Sequence, residues 1–220
     1  PPAQPIELIF VDASQSNQPI RTGAYRFPEN KALPWQAVAV DNYLYVIDQR
    51  GPNAGVYSAD LDSRPRLLTF DVTNQQTPRL LNQIPQTEKS HMNSLIRQGD
   101  YLYINEFYYG VRIFSIAERA EPRYAGGTPT ASDGRYLWVN DDETFAYLQD
   151  SWGGTIWTID VSNKAKPVKK GYYWNAGAYS AEHDKFVGKG PFLYLPGEGK
   201  VVILDVSNPE APVLAGQFPG

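Results

Sequence analysis

The sequence predicts an all-β fold of short four-stranded sheets set around one axis, and three observations carry that prediction. Glycine and proline number 18 each and tyrosine 15, against a single methionine, a composition that suits many short strands joined by tight turns and disfavours helices. A motif recurs along the chain with a period of about 45 residues. Each period holds signals for four strands. Four strands in roughly 45 residues is the arithmetic of a β-propeller blade.

The repeat is clearest in its third strand and the turn after it. Val201-Val202-Ile203-Leu204-Asp205-Val206-Ser207-Asn208 closes with Pro212, Ile156-Trp157-Thr158-Ile159-Asp160-Val161-Ser162-Asn163 with Pro167, and Leu67-Leu68-Thr69-Phe70-Asp71-Val72-Thr73-Asn74 with Pro78. Val111-Arg112-Ile113-Phe114-Ser115-Ile116, closing with Pro122, and Leu8-Ile9-Phe10-Val11-Asp12-Ala13-Ser14, closing with Pro19, are drifted copies. The closing prolines lie 59, 44, 45 and 45 residues apart, and each stands seven residues beyond its aspartate or serine. Asp, Ser, Thr and Asn here have a structural role, since their side-chain oxygens bond turn amides that lack ladder partners. Four residues after each proline comes Gly23, Asn82, Gly126, Gly171 or Gly216, residue types that tolerate positive φ or a bulge in the strand that follows.

Between these segments lies an aromatic-apolar-tyrosine strand: Tyr43-Leu44-Tyr45, Tyr101-Leu102-Tyr103, Phe145-Ala146-Tyr147 and Phe192-Leu193-Tyr194. Each follows a turn signal, Asp41-Asn42, Gly99-Asp100, Glu143-Thr144 or Gly190-Pro191. The 59-residue interval is long because Arg50-Gly51-Pro52-Asn53-Ala54-Gly55 inserts a loop. One repeat is thus strand a, a turn, the tyrosine strand b, a loop, the apolar strand c, the proline-bounded turn and strand d. Strand c is apolar at consecutive positions, as a strand buried on both faces between neighbouring sheets would be.

The Asp-Val-Ser-Asn-Pro-x-x-Pro signature at 205–212, with its apolar run and tyrosine strands, resembles the LVIVD-repeat proteins, a family of β-propellers on bacterial and archaeal surfaces. The resemblance implies an extracellular or cell-surface location in a prokaryote and says little about activity. Complete repeats run over 33–85, 91–127, 131–174 and 182–218, residues 6–27 supply strands c and d alone, and 1–5 read as a linker. The expectation is one propeller domain over 6–220 with about five blades, the first incomplete. The alternative is a piece of a longer propeller.

Several functions fall away on composition. A net charge of −4 with scattered Lys and Arg gives no attraction for nucleic acid or anionic lipid, and no apolar run approaches a membrane span. Zero cysteines remove disulfides, thiol catalysis and cysteine-held metals. No phosphate-binding glycine loop, dinucleotide fingerprint or Gly-x-Ser-x-Gly elbow is present.

In a propeller the b-to-c and d-to-a connections emerge at one end, where ligands gather. That places Trp35, Phe107, Tyr108, Tyr109, Trp152, Trp174 and Tyr179 together as a candidate ligand-binding set. Such rings suit the C–H faces of sugars or the hot spots of a protein partner, and some of them could instead plug the channel or pack between blades. Five residues beyond the first aromatic of strand b stand Asp48, Glu106 and Asp150, a candidate acidic ring that would hold a hard cation such as Ca²⁺ or simply cap the strand ends. His91 and His183 fall in d-to-a segments two blades apart and could join a metal site. The leading expectation is a non-catalytic, extracytoplasmic binding or scaffold module for a glycan or surface protein, without a cofactor. The rivals are a metal-assisted hydrolase or lyase, and a structural subunit of a surface assembly that exchanges strands with another chain.

Overall fold

The computed structural model describes residues 6–15, 17–28, 32–49, 64–86, 91–107, 109–130, 134–150, 154–174, 185–197 and 199–219. Among these there is no helix, and eighteen strands form one two-stranded and four four-stranded antiparallel sheets. The chain divides into two compact units, Pro1–Met92 with Glu118–Pro122, and Asn93–Ala117 with Arg123–Gly220.

The first unit holds the two-stranded sheet, β1 (Glu7–Asp12) and β2 (Ile20–Arg26), and a full sheet of β3 (Pro34–Val40), β4 (Tyr43–Asp48), β5 (Arg66–Asp71) and β6 (Arg79–Pro85) in that order. The second unit holds three such sheets: β7 (Met92–Gln98) to β10 (Arg123–Thr128) through β8 (Tyr101–Glu106) and β9 (Gly110–Ser115); β11 (Gly134–Val139), β12 (Phe145–Asp150), β13 (Ile156–Asp160) and β14 (Val168–Tyr173); and β15 (Val187–Lys189), β16 (Phe192–Gly197), β17 (Lys200–Asp205) and β18 (Val213–Pro219). Each is an a-b-c-d meander, as the repeat predicts, and the first sheet has only its c and d strands.

Strands b and c carry the core. Leu67, Leu68 and Phe70 of β5, and Val111 and Ile113 of β9, have no exposed surface. In the first unit β1–β2 packs on β4–β5 through Phe27, Val46, Leu68 and Phe70, with Leu8 and Tyr25 at the margin. In the second, Tyr103, Ile113, Leu137, Leu148 and Ile159 join two sheets, and Tyr147, Ile156, Leu195, Val202 and Leu204 join the next pair. Burying one such Leu, Ile or Val side chain stabilises by about 1.5–3 kcal/mol. The c strand accordingly carries apolar residues at neighbouring positions, such as Leu67-Leu68 and Ile113-Phe114, where a one-faced sheet would alternate.

The repeated turns form by one scheme. Asp12, Asp71, Asp160 and Asp205 each accept the amide of the residue two further on, at 2.8, 2.9, 3.0 and 2.8 Å. Asn74, Asn163 and Asn208 do the same for Gln76, Ala165 and Glu210. The a-to-b hairpins turn on a left-handed residue, Asp41, Gly99, Glu143 or Gly190.

The residue four places after the closing proline has a different reason from the one its type suggests. The bulge is real in all five outer strands, where the register skips Thr22, Leu81, Ala125, Lys170 or Ala215. None of Gly23, Gly126, Gly171 and Gly216 has positive φ. Three of them instead lie against the c-to-d turn of the next sheet. A methyl group on Gly23 would come within 2.8 Å of Gln76 Cα, one on Gly126 within 2.8 Å of Ala165 Cα, and one on Gly171 within 2.8 Å of the Pro209 carbonyl oxygen. Glycine is needed because backbone meets backbone.

Candidate ligand-binding end of the blades

In an a-b-c-d meander strands b and d finish, and strands a and c begin, at the same end of the sheet. Asp48 is the last residue of β4, Glu106 of β8 and Asp150 of β12, so all three acids stand at that end of their own sheets.

Arginines meet two of these acids. Asp48 lies directly across from Arg66, and its Oδ2 is 2.8 Å from Arg66 Nε, with side-chain exposures of 0% and 6%. Its Oδ1 accepts the Leu33 amide at 2.6 Å. Glu106 Oε1 is 2.9 Å from Arg112 Nη1, and the Glu106 side chain is fully buried. The Arg112 guanidinium also lies 5.2 Å from the Phe114 ring centre and 5.0 Å from that of Tyr124, stacking that favours arginine over lysine. A carboxylate bound to a guanidinium has its charge satisfied, which answers the cost of burying it and leaves it a poor ligand for a cation. Asp150 is partly buried. Among the described residues no three His, Asp or Glu side chains lie close enough to hold a metal ion.

Amides form a second polar layer. Asn93 Nδ2 donates to the Gly134 carbonyl at 2.8 Å, and Asn105 Nδ2 donates to the same oxygen. Gln49 Nε2 donates to the Met92 carbonyl. Asn105, next to Glu106 in sequence, ties the end of β8 to β11, the inner strand of the following sheet, and Asn93 reaches the same oxygen from β7. The sequence reading missed both this layer and the arginines. The signal was present, since Arg66 and Arg112 are charges inside otherwise apolar c strands and imply a buried partner on strand b.

The aromatic set divides by position. Trp35 is 59% exposed because it is the residue that the β3–β4 register skips, so it belongs to a strand bulge and not to a loop. In the second unit Trp174 is 66% exposed directly after β14, Tyr109 is 39% exposed between β8 and β9, and Phe107 is partly buried. All three stand at the b-to-c and d-to-a end of their sheets. Tyr108, Trp152, Tyr179 and His183 lie outside the described residues, and His91, just ahead of β7, is half-buried. Exposed rings also occur on outer strands, but Tyr124 is engaged by Arg112, and Tyr172 lies 5.3 Å from Trp157.

Four-stranded meanders repeated in this way, with core between consecutive sheets and polar side chains gathered at one end of each, define a β-propeller module. Residues 133–174 and 188–219 match the family model described as the LVIVD repeat, consistent with an LVIVD-repeat family. No curated protein matches the sequence. Among solved structures, a protein from Lactobacillus plantarum matches at 15% identity with a TM-score of 0.66, over 91% of this chain and 61% of its own. A functionally unknown protein from Desulfotomaculum acetoxidans matches at 10% and 0.66, over 90% and 59%. A periplasmic gluconolactonase of Pseudomonas aeruginosa matches at 14% and 0.64, over 93% and 61%. At such identities the likeness is one of fold. This chain spans about three fifths of the length of each of these structures.

Proposed function

We propose that this chain is a non-catalytic, extracytoplasmic propeller module that binds a glycan or a surface protein through the end of its blades where Trp174 and Tyr109 stand. The observation that carries the reading is the exposure of those two rings at the end of their sheets where the Arg112–Glu106 pair and the Asn93 and Asn105 amides also stand. An exposed indole costs hydration without contributing to the core, and it presents a flat apolar surface with an N–H at its edge. Amides and carbonyls around such rings supply the directional bonds that sugar hydroxyls or a peptide backbone require. The periplasmic gluconolactonase among the fold neighbours supports a carbohydrate-like ligand and an extracytoplasmic setting. Replacing Trp174 and Tyr109 by alanine should abolish retention on immobilised polysaccharide or on a partner protein. The unfolding free energy should stay within about 0.5 kcal/mol of wild type, as for exposed positions generally. Retention that survives both substitutions assigns the ligand to another surface.

A second reading, a structural subunit that accepts strands from another chain, is favoured by one observation. Among the described residues β1 pairs only with β2, whereas β5, β9, β13 and β17 each pair on both sides. An unpaired edge of Glu7-Leu8-Ile9-Phe10-Val11-Asp12 has no proline or lysine to blunt it. Slow amide exchange along β1 only in the presence of a second chain would support this reading, and exchange unchanged by any partner would remove it.

A further inference from the structure

The sheet β11–β14 departs from the repeat at three places, and each departure is an aromatic ring. Trp157 stands where the other four-stranded sheets have Leu68, Arg112 and Val202, and Tyr172, across from it, where they have Gln83, Gly127 and Gln217. Trp174, two residues further, stands where they have Pro85, Pro129 and Pro219. The scaffold is built three times without a ring at any of these positions, so the fold does not require one. Tyr172 is nonetheless 56% and Trp174 66% exposed.

Register places a cation beside the rings. The Trp157 and Tyr172 ring centres are 5.3 Å apart, and Ile159 lies across from Lys169. Side chains two apart on a strand share a face, so Trp157, Ile159, Tyr172 and Lys169 stand on one face of the sheet. Lys169 Nζ is 4.8 Å from the Trp157 ring centre. This sheet has a neighbour on each face, β7–β10 through Leu137, Leu148 and Ile159 and β15–β18 through Tyr147 and Ile156. The strip of Lys169, Tyr172 and Trp174 is thus the outer margin of a space already filled by a sheet, and not a face for a further blade.

Charge selects the occupant. Lys164, Lys166, Lys169 and Lys170 fall within seven residues that hold no acid, in a chain of net charge −4. Lys164 is drawn to Glu143, and Lys170 to Asp160 and Glu210. Among the described residues no carboxylate pairs with Lys169, which rests on Trp157 alone. We propose that this strip binds an acidic polysaccharide, with sugar C–H faces on Tyr172 and Trp174 and a uronate or sulfate group on Lys169. The proposal rests on the glycan reading above, narrows it to polyanionic chains and adds Tyr172 and Lys169 to the contact. Two residues of extended chain span about 6.6 Å, the scale of one sugar unit. The negative net charge opposes loose attraction of a polyanion, so retention of one requires a local cation with rings beside it.

Affinity electrophoresis and titration calorimetry of the intact chain with polygalacturonate, its methyl ester, dextran sulfate and neutral dextran test this. Wild type should bind polygalacturonate or dextran sulfate, bind the methyl ester and dextran at least about tenfold more weakly, and lose affinity as salt rises. Tyr172→Ala and Lys169→Gln should each raise the dissociation constant at least about tenfold, while Tyr172→Phe and Lys169→Arg keep it within about twofold. Those conservative variants separate a lost contact from a lost fold. Lys166→Gln removes another exposed charge, in the preceding turn, and should leave binding unchanged. Wild type that binds neither charged chain, that binds dextran as tightly, or that Lys166→Gln weakens as much as Lys169→Gln overturns the proposal. Binding of a neutral glycan or a protein partner that is lost in Tyr109→Ala but kept in Tyr172→Ala and Lys169→Gln overturns this strip and leaves the reading above standing.

Discussion

Alanine at Gly171 and alanine at Gly216 should separate in stability, although the two residues hold the same place in consecutive repeats. Both sit at the bulge of an outer strand, and neither has left-handed φ, so the backbone accepts a side chain at both. Replacing glycine at a compatible site gains about 0.4–1 kcal/mol by restricting the unfolded chain. At Gly216 nothing lies within 4 Å of the new methyl, so the gain stands unopposed. At Gly171 the methyl would come within 2.8 Å of the Pro209 carbonyl oxygen and closer still to that of Glu210. Those are backbone atoms and cannot rotate aside, so β14 and the next turn must move apart. Overpacking of this kind costs about 1–3 kcal/mol. The unfolded-state gain is common to both variants and cancels, leaving that cost as the difference between them. For a chain of this size it corresponds to about 2–12 °C between the two melting midpoints. Thermal and urea unfolding at low protein concentration measure it, with Gly126→Ala as a second example. Equal midpoints for Gly171→Ala and Gly216→Ala would refute the steric account of the repeat glycine.

Two further outcomes follow from the charges. Arg66→Met alone leaves the Asp48 carboxylate buried without its guanidinium and should cost about 3–5 kcal/mol in urea unfolding, while Asp48→Asn with Arg66→Met should recover much of that loss. A double variant as unstable as the sum of the single ones would show the pair to be uncoupled. Asp71 is pulled down from 3.8 to about 2, first by its hydrogen bond to Arg79 and then by those to Thr73, and Asp12, Asp160 and Asp205 are lowered by their turn serines. A depressed carboxylate binds its proton more weakly in the folded state, so its contribution is present above pH 4 or so and fades as pH falls toward 2. Carboxyl titration by NMR should show the Asp71 inflection moving back toward 3.8 in Arg79→Gln, and an unmoved inflection would remove the arginine as its cause.

The architecture was legible because it is written in short-range patterns. Consecutive apolar residues at 67, 68 and 70 and at 111, 113 and 114 announce a strand covered on both faces, and the spacing of Pro19, Pro78, Pro122, Pro167 and Pro212 announces the sheets. The candidate end of the blades was legible in part. Chain direction alone places Asp48, Glu106, Asp150, Tyr109 and Trp174 at the b-to-c and d-to-a end of their own sheets, but it does not say which groups each one meets.

By itself the sequence determined the repeat, the number of strands in each sheet and the turns, since these depend on hydrogen bonds and burial among residues a few positions apart. Tertiary structure decided the rest. It set Arg66 on Asp48 and Arg112 on Glu106, placed Trp35 on a bulge, and gave Gly23, Gly126 and Gly171 a steric reason to be glycine while leaving Gly216 open. Each of these outcomes depends on which backbone or charge arrives from a neighbouring strand or sheet. That is fixed by how the strands pair and the sheets stack, which no local pattern of residue types records.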